Sequence, residues 1–312
     1  MCELGKIKEV ELRQVWAHEA NNFTPWLRKN IDLLSEALGM DIEIMESEGL
    51  VGTYYVDLVG KDLGTGHTII IENQLEQTNH SHLGQLLTYA AGRGAKIIVW
   101  ITRQFKEEHQ QALDWLNDNT SEDISLFRVE IKAISIDESK PAPLFNVVSK
   151  PNEWQKTAGH SSKQVSGKGE AYRAFWSDFL FELKKKAPGL TKASKGLPQN
   201  WCHIGAGKTG YAIGAAFTYD SQFKVELYID TGNKEVNEEA FDRLYEKKEE
   251  IEKQLGDQLS WERLDSARAT RVALYTNGSI DYDEKELSNL QKWGIDNLIK
   301  FSKVFGREII NF

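Results

Sequence analysis

The spacing of apolar residues predicts a first half that alternates between helices and strands. Apolar residues recur every three or four positions up to Gly39, which is typical of a helix face. Residues 41–47 alternate apolar and polar, as half-buried strands do, whereas 96–102 form the continuous apolar run of a fully buried strand. The predicted elements are helix 10–39, strands 41–47, 52–57 and 69–74, helix 82–92, strand 96–102, helix 106–119 and strand 124–136. This order predicts an α/β core with a mixed sheet and helices on both sides.

A second domain is predicted after a break in the pattern. Three prolines and a segment rich in Gly, Ser and Lys indicate a linker over residues 141–169. The chain therefore divides into a domain over 1–140, this linker, and an α+β domain over 170–312. In the second domain the pattern predicts helices at 172–186, 237–255 and 283–305, and strands at 211–219, 223–230, 259–263 and 270–275.

One predicted hairpin carries the clearest chemical signal. Asp57 and Glu72 lie on two strand-like segments joined by a glycine-containing turn. If the turn is centred near Gly64 and Thr65, Asp57 lies directly opposite Glu72. Facing residues of an antiparallel pair are about 4.5–5.5 Å apart, where like charges repel. Two carboxylates held that close require a proton or a cation between them, so a divalent metal site is predicted.

Composition indicates a folded chain with two domains. At 312 residues, with 40% hydrophobic and 10% aromatic residues, the chain has enough apolar side chains for real cores. There is no run of 18 apolar residues and no apolar segment at the N-terminus, so neither a membrane span nor a secretory signal is predicted. Two cysteines make neither a disulfide framework nor a zinc motif, and a reduced cytoplasmic setting is expected.

The charge distribution leaves nucleic acid open as a partner. The net charge of −9 argues against it, but residues 140–200 contain eleven Lys and Arg against four Asp and Glu. That stretch carries +7 and the rest of the chain −16. A basic stretch on an acidic protein can contact phosphates. The alternative is a solvated linker and helix face.

The hairpin and the elements around it resemble a known nuclease superfamily. Asp57, fourteen intervening residues and Glu72-Asn73-Gln74 resemble the catalytic signature of the PD-(D/E)xK nucleases, in a Glu-x-Gln variant. The αβββαβ order over residues 10–136 is similar to the restriction-endonuclease-like core of that superfamily. Gln85 and Tyr89, which share one helix face, are similar to the Gln-x-x-x-Tyr element of its RecB-like and NucS-like branches.

The resemblance implies a metal centre for phosphodiester hydrolysis. Asp57, Glu72 and the backbone carbonyl of Asn73 are implied as ligands of Mg²⁺ or Mn²⁺. A third carboxylate often comes from the first helix of such proteins, where Glu19 and Glu36 are the candidates. Hard cations take oxygen ligands, and a bound cation lowers the pKa of water and neutralises charge at a phosphoryl centre.

Polar residues that follow the two acids in the sequence are implied to position the water and the phosphate. The resemblance implies that Gln74 orients the attacking water and that Gln85 and Tyr89 position the phosphate or brace the ligands. Gln74 stands where the superfamily has lysine; glutamine cannot act as a base, but it can hold water by hydrogen bonds. The second domain is similar to uncharacterised domains found C-terminal to such nuclease cores.

The sequence thus predicts a Mg²⁺- or Mn²⁺-dependent endo- or exonuclease acting in restriction, repair or phage defence. DNA is the expected substrate rather than RNA, and the second domain is a recognition or dimerisation module, compatible with a homodimer. The alternative is a catalytically silent nuclease-like fold that binds nucleic acid or a protein partner, which Gln74 and the charge of −16 favour. A third interpretation makes Asp57 and Glu72 ordinary acids of a turn and a strand end, although burying Glu72 unpaired would be costly.

Overall fold

A computed structural model describes residues 4–51, 54–121, 124–149, 167–264 and 267–310. The helices are α1 Leu12–Val15, α2 Thr24–Lys29, α3 Ile31–Leu38, α4 His80–Arg93, α5 Glu107–Asn119, α6 Gly167–Lys186, α7 Lys234–Tyr245, α8 Lys248–Leu255 and α9 Glu284–Ile309, with a π-helical turn at Glu19–Phe23. The strands are β1 Ile7–Val10, β2 Ile42–Val51, β3 Tyr54–Asp62, β4 Thr68–Gln77, β5 Ile97–Gln104, β6 Ser125–Ile136, β7 Ala142–Ser149, β8 Trp201–Gly205, β9 Tyr211–Phe217, β10 Gln222–Ile229, β11 Ser260–Glu262 and β12 Thr270–Asn277.

The chain forms two compact units. The first takes in most of the chain up to residue 149, and the second takes in the chain from residue 167 onward together with 39–41 and 63–65. Residues 142–149, assigned above to the linker, instead form β7 and pair with β6 in the first unit. Most of the remaining predicted linker, residues 150–166, lies outside the described residues.

The first unit is built on a mixed sheet, as the sequence predicts, but the sheet has seven strands because β1 and β7 join the five predicted ones. Its order is β1-β6-β5-β4-β3-β2, with β7 also paired to β6. The β4–β5 and β5–β6 pairs are parallel and the others antiparallel. Helices α4 and α5 pack on the face that carries Ile70, Ile98 and Trp100. Asn73 points to the opposite face, where its amide Nδ2 donates to Thr24 Oγ1 of α2, so helices lie on both sides.

The predicted helical region over 10–39 is broken into short pieces. Asn22 Oδ1 accepts from the His18 backbone N–H, and Asn30 Nδ2 donates to the Trp26 carbonyl. Such local side-chain bonds compete with the helical ladder. The prediction of one long helix is therefore wrong in detail, and β1 was not predicted because its pattern is mostly exposed.

The second unit is a two-layer α/β structure. Its sheet has the order β11-β12-β10-β9-β8, and each of these neighbouring pairs is antiparallel. One sheet face packs on α6, α7, α8 and α9 in a single core that contains Phe179, Phe223 and Phe301. The charged helix predicted over 237–255 is two helices, and β8 was not predicted. Helix α9 begins at a capping box between Asp283 and Glu286.

The other face of this second sheet carries a buried ionic network centred on Glu226. Glu226 is 3% exposed and accepts from Lys224 Nζ at 2.6 Å and from His203 Nε2 at 3.2 Å. Arg271 Nε lies 3.2 Å from the same carboxylate. Burial raises the pKa of Glu226, but the His203 hydrogen bond and the charges of His203, Lys224 and Arg271 together outweigh burial and lower it to about 2.

This network predicts a loss of stability in acid. The folded pKa of Glu226, about 2, is below the ordinary value of 4.5, so its stabilisation is present above pH 4.5 and is lost as the pH falls towards 2. We expect Glu226→Gln to be less stable than wild type at pH 6 and the gap, up to roughly 3 kcal/mol, to narrow at pH 3. Urea unfolding at both pH values measures it. Glu249→Gln, at an exposed site on α8, is the control; a gap that does not change with pH would contradict the prediction.

Candidate active site

The hairpin of β3 and β4 has the predicted register. Leu58 pairs with Ile71 and Lys61 with Thr68, so the turn is centred between residues 64 and 65. The ladder between the strands ends at Leu58 and Ile71, and the next two residues in line are Asp57 and Glu72. The predicted register is therefore confirmed from Leu58 to Lys61, and Asp57 and Glu72 lie one residue beyond its last pair.

The backbone hydrogen bonds between β3 and β4 stop after this last pair. Beyond it, side-chain carboxylates accept hydrogen bonds from the backbone N–H groups. Asp57 Oδ2 accepts from the Asn73 backbone N–H at 2.8 Å, and the backbone N–H of Asp57 bonds to the Glu72 carboxylate. Glu19 Oε2 accepts from the Leu75 N–H at 2.5 Å. We call this opening, formed by Glu19, Asp57, Glu72, Asn73 and Leu75, the β3–β4 wedge. Because both backbone groups of one strand residue point to the same strand edge, the Asn73 carbonyl is also directed into it.

Glu19 is held at the wedge by the π-helical turn that it begins. Phe23 at the end of that turn is fully buried and packs against Trp16 and Trp26, with ring centroids 5.0 and 5.9 Å away. Single π-helical turns occur frequently at functional sites. Of the two candidates for a third carboxylate, the structure brings Glu19 to the wedge, whereas Glu36 lies exposed on α3.

The wedge is poor in water and rich in negative charge. Glu72 is 5% exposed and lies beside the fully buried Trp100 of β5, its partner in the parallel register. Burial, the Asp57 charge and the Glu19 charge raise the pKa of Glu72 well above its ordinary value, against the lowering effect of the Asp57 N–H. Burial also raises the pKa of Asp57, as do the charges of Glu19 and Glu48. The site therefore favours the binding of a proton or a cation.

Three oxygens of consecutive β4 residues are buried and have no hydrogen-bond partner in the part of the chain that the structure describes. They are Glu72 Oε2, Asn73 Oδ1 and Gln74 Oε1. Alternate strand residues point to opposite faces, so Glu72 and Gln74 share one face and the Asn73 side chain lies on the other. A buried oxygen without a partner costs about 1–3 kcal/mol. Glu72 Oε2 and Gln74 Oε1 are thus acceptors kept available on one side of the strand.

Gln74, Gln85 and Tyr89 occupy the same side of the sheet as Glu72. Gln74 is 3% exposed, and its Nε2 donates to the Gln77 carbonyl at 2.9 Å. Tyr89 is buried in the cluster that contains Trp100, and Gln85 is half-buried one turn earlier on α4. The helix that the sequence predicts beside the two acids is therefore present. The roles assigned to these three residues remain predictions.

Sequence reasoning missed Glu48. Ser47 pairs with Leu58 and Gly49 with Val56, so Glu48 stands opposite Asp57 on β2. Its backbone has a left-handed φ of 54°, which is uncommon outside glycine and tends to occur at functional sites. The alternation of acids in this strand hinted at Glu48, but a bulge between Ile44 and Glu46 sets the register and is not visible in the sequence.

The donor set fits a hard divalent cation that keeps part of its water. Within the described ranges, no group of three His, Cys, Asp or Glu side chains is placed to hold a metal by itself. Mg²⁺ does not require such a group, because it binds through one or two carboxylates, waters and substrate phosphates. Two carboxylates with raised pKa values, the directed Asn73 carbonyl and the unpartnered Glu72 Oε2 match that preference.

At least four of the eight described Lys and Arg residues of the basic stretch form ion pairs on the second unit. Lys168 pairs with Asp281 at 3.3 Å and Lys186 with Asp296 at 2.8 Å, so acids outside the stretch offset its charge. Lys185 pairs with Glu182 at 2.7 Å. Three of its lysines, Lys150, Lys156 and Lys163, lie outside the described residues. The described part favours the solvated-face interpretation.

Comparisons with known proteins find one family model over part of the chain and two solved structures of low similarity. Residues 171–308 match a family model described as a domain of unknown function, DUF4268, as the expectation of an uncharacterised C-terminal domain requires. No curated protein matches. A repair endonuclease from Pyrococcus abyssi is similar at 12% identity over 31% of this chain and 43% of that one, with a TM-score of 0.27. SfsA of Pyrococcus furiosus, solved with Ca²⁺, is similar at 17% identity over 40% and 59%, with a TM-score of 0.23.

The alignments span less than two thirds of either solved chain. No helix in the described part of the chain is long and apolar enough to cross a membrane.

Proposed function

We propose that the protein is a metal-dependent nuclease that hydrolyses phosphodiester bonds in DNA at the β3–β4 wedge. One observation supports the proposal: Asp57 and Glu72, two carboxylates with raised pKa values, meet in the wedge, where the buried Glu72 Oε2 and Gln74 Oε1 have no hydrogen-bond partner among the described residues. A structural pair of acids would be expected to find a cationic side chain or to lie in water. Among the described residues no Lys or Arg pairs with Asp57 or Glu72, and Glu72 is only 5% exposed, which is the condition for recruiting a cation.

Asp57, Glu72 and the Asn73 carbonyl would hold Mg²⁺ or Mn²⁺, with Glu19 as a further acid at the rim. The metal supplies Lewis-acid stabilisation of the phosphoryl group and a more acidic bound water. The Asn73 N–H fixes the Asp57 carboxylate, and the Asp57 N–H fixes that of Glu72. This reciprocal pair of hydrogen bonds orients both ligands before any substrate arrives.

Gln74 orients the attacking water rather than removing its proton. Its Nε2 is tied to the Gln77 carbonyl at 2.9 Å, and this leaves Oε1 as a fixed acceptor on the same strand face as Glu72. An amide oxygen accepts a proton in a hydrogen bond but does not take it up at neutral pH. The proton therefore leaves through solvent or the phosphate itself. Gln85 and Tyr89 flank this face from α4 and contact the scissile phosphate or support the acids.

Cleavage of plasmid and single-stranded DNA with Mg²⁺ and with Mn²⁺ tests the proposal. We expect wild type to cleave, EDTA to stop it, and Asp57→Asn to lower the rate by about 10³-fold or more, because a lost ligand removes several kcal/mol of transition-state stabilisation. Glu76→Gln is the matched control, since Glu76 is an exposed acid of the neighbouring strand β4 that pairs with Arg13 at 3.0 Å.

Two outcomes separate the proposal from its rival. Cleavage that survives Asp57→Asn would show that the wedge is not the active site. Binding of DNA without cleavage under either metal would favour the catalytically silent nuclease-like fold, which the substitution of Gln74 for the usual lysine supports. In that case Gln74→Lys is the next variant to assay.

A further inference from the structure

The sheet of the second unit has two chemically different faces. Along β10, Phe223, Val225, Leu227 and Ile229 enter the core with the helices. The alternate residues point to the opposite face, and so do those of the paired strands. The members of that second face are Trp201, His203, Ala212, Gly214, Ala216, Lys224, Glu226, Tyr228, Arg271, Ala273 and Tyr275. Small residues fill β9, while aromatic and charged ones occupy its neighbours.

Three aromatic rings form a row across this face. The Trp201 and His203 ring centroids are 4.7 Å apart at an interplanar angle of 41°. Those of His203 and Tyr228 are 5.7 Å apart at 25°, a stacked arrangement. All three residues are partly buried, and the His203 side chain is 15% exposed. We call Trp201, His203 and Tyr228 the ring row.

Two other residues, Gly214 and Glu226, hold the ring row in its arrangement. A Cβ at Gly214 would lie 1.9 Å from His203 Cδ2, so only glycine in β9 lets the imidazole cross from β8 towards β10. Glu226 then fixes the ring by accepting from His203 Nε2 at 3.2 Å, and Lys224 and Arg271 hold Glu226 in place. A conformationally fixed ring loses little entropy when a flat ligand stacks on it.

We propose that the ring row is a stacking site for unpaired bases of single-stranded nucleic acid. Partly exposed aromatic residues on a sheet face, close to arginine, are an arrangement that binds unstacked bases. Duplex DNA hides its base faces, whereas a single strand offers them to flat rings. The choice of polymer rests on the proposed function, which makes nucleic acid the substrate of the same chain.

The charges near the ring row indicate that base stacking, and not attraction to phosphates, supplies most of the binding free energy. Arg271 pairs with Glu226 and Glu262, and Arg268 pairs with Asp230 at 2.7 Å. Cations that are already paired release few counterions when a polyanion binds. We therefore expect binding whose affinity falls only slightly with salt, unlike that of a protein that reads the phosphate backbone.

Fluorescence anisotropy of a labelled oligothymidylate of about 15 nucleotides, long enough for one such site, tests the inference. The full chain is used in EDTA, so that no cleavage occurs. Trp201→Leu and Tyr228→Leu are each expected to weaken binding by about tenfold, as the loss of one stacked base predicts. Trp201→Phe and Tyr228→Phe keep a ring and should retain affinity, and thermal melting confirms that each variant is folded.

Tyr219→Leu is the matched control, because Tyr219 is a fully exposed tyrosine of the same unit outside the ring row. Wild-type affinity in both leucine variants would overturn the inference, as would equal losses in the leucine and phenylalanine variants. Tighter binding of the duplex than of the single strand would also overturn it. The result is independent of cleavage, because binding is measured in EDTA and the varied residues lie outside the β3–β4 wedge.

Discussion

Glu72→Gln is expected to abolish cleavage and, at the same time, to stabilise the metal-free protein. The Glu72 carboxylate is buried beside Trp100 and faces the charges of Asp57 and Glu19, so ionising it in the folded state without a cation is costly. Glutamine keeps the shape and removes the charge. We expect the free energy of unfolding in EDTA at pH 8 to rise by roughly 1–3 kcal/mol and the cleavage rate to fall by about 10³-fold or more.

Thermal or urea unfolding with and without Mg²⁺ measures the first effect and DNA cleavage the second. Mg²⁺ should stabilise wild type and leave Glu72→Gln nearly unchanged, because ligand binding to the folded state is what raises its stability. Glu76→Gln, on the same strand but exposed, should alter neither quantity. A Glu72→Gln variant that is less stable than wild type in EDTA would mean that the carboxylate is a structural hydrogen-bonding group and not a site awaiting a cation.

Trp100→Ala is expected to cost the first unit about 3–5 kcal/mol of unfolding free energy. Trp100 is fully buried in β5, packs edge-on against Phe105 at 5.5 Å, and belongs to the cluster between the sheet and helices α4 and α5. Its removal leaves a cavity beside Glu72 that the surrounding strands cannot close. Cleavage should also fall, because the wedge would admit water and its carboxylates would lose their raised pKa values.

Two further variants serve as controls for this prediction. The indole Nε1 of Trp100 has no acceptor, so Trp100→Phe removes no hydrogen bond and should cost clearly less than the alanine variant. Trp115→Ala makes the same change on α5 at a side chain that is 64% exposed, and should stay within about 0.5 kcal/mol of wild type. Urea unfolding followed by far-UV circular dichroism measures all three. Equal costs at Trp100 and Trp115 would contradict the assigned burial.

Local sequence patterns were sufficient to predict secondary structure and register wherever one face of an element is buried and the chain turns tightly. The β3–β4 register followed from the turn over 61–67, since a short symmetric turn fixes which residues oppose each other. The continuous apolar run of β5 and the amphipathic helix α4 were recognised because burial imposes a period on the sequence. The mixed sheet of the first unit was therefore predicted correctly.

Long-range pairings and irregular features of the strands could not be predicted from local sequence patterns. β7 was mistaken for linker because prolines flank its first residues, yet it pairs with β6 as an antiparallel neighbour. Glu48 joins the acids only because a bulge in β2 shifts the register by one residue. The row of Trp201, His203 and Tyr228 depends on Gly214, in a strand that sequence reasoning did not connect to β8.

The sequence by itself determined the order of β2 to β6 with α4 and α5, and the hairpin register that places Asp57 and Glu72 one residue beyond its last pair, because both follow from periodicity and one short turn. Only the tertiary structure decided that β3 and β4 part beyond Leu58 and Ile71, that Glu19 rather than Glu36 reaches the opening, and that Glu72 Oε2 and Gln74 Oε1 are left without partners. The physical reason is that burial and hydrogen-bond satisfaction are properties of the assembled fold, set by residues far apart in the chain.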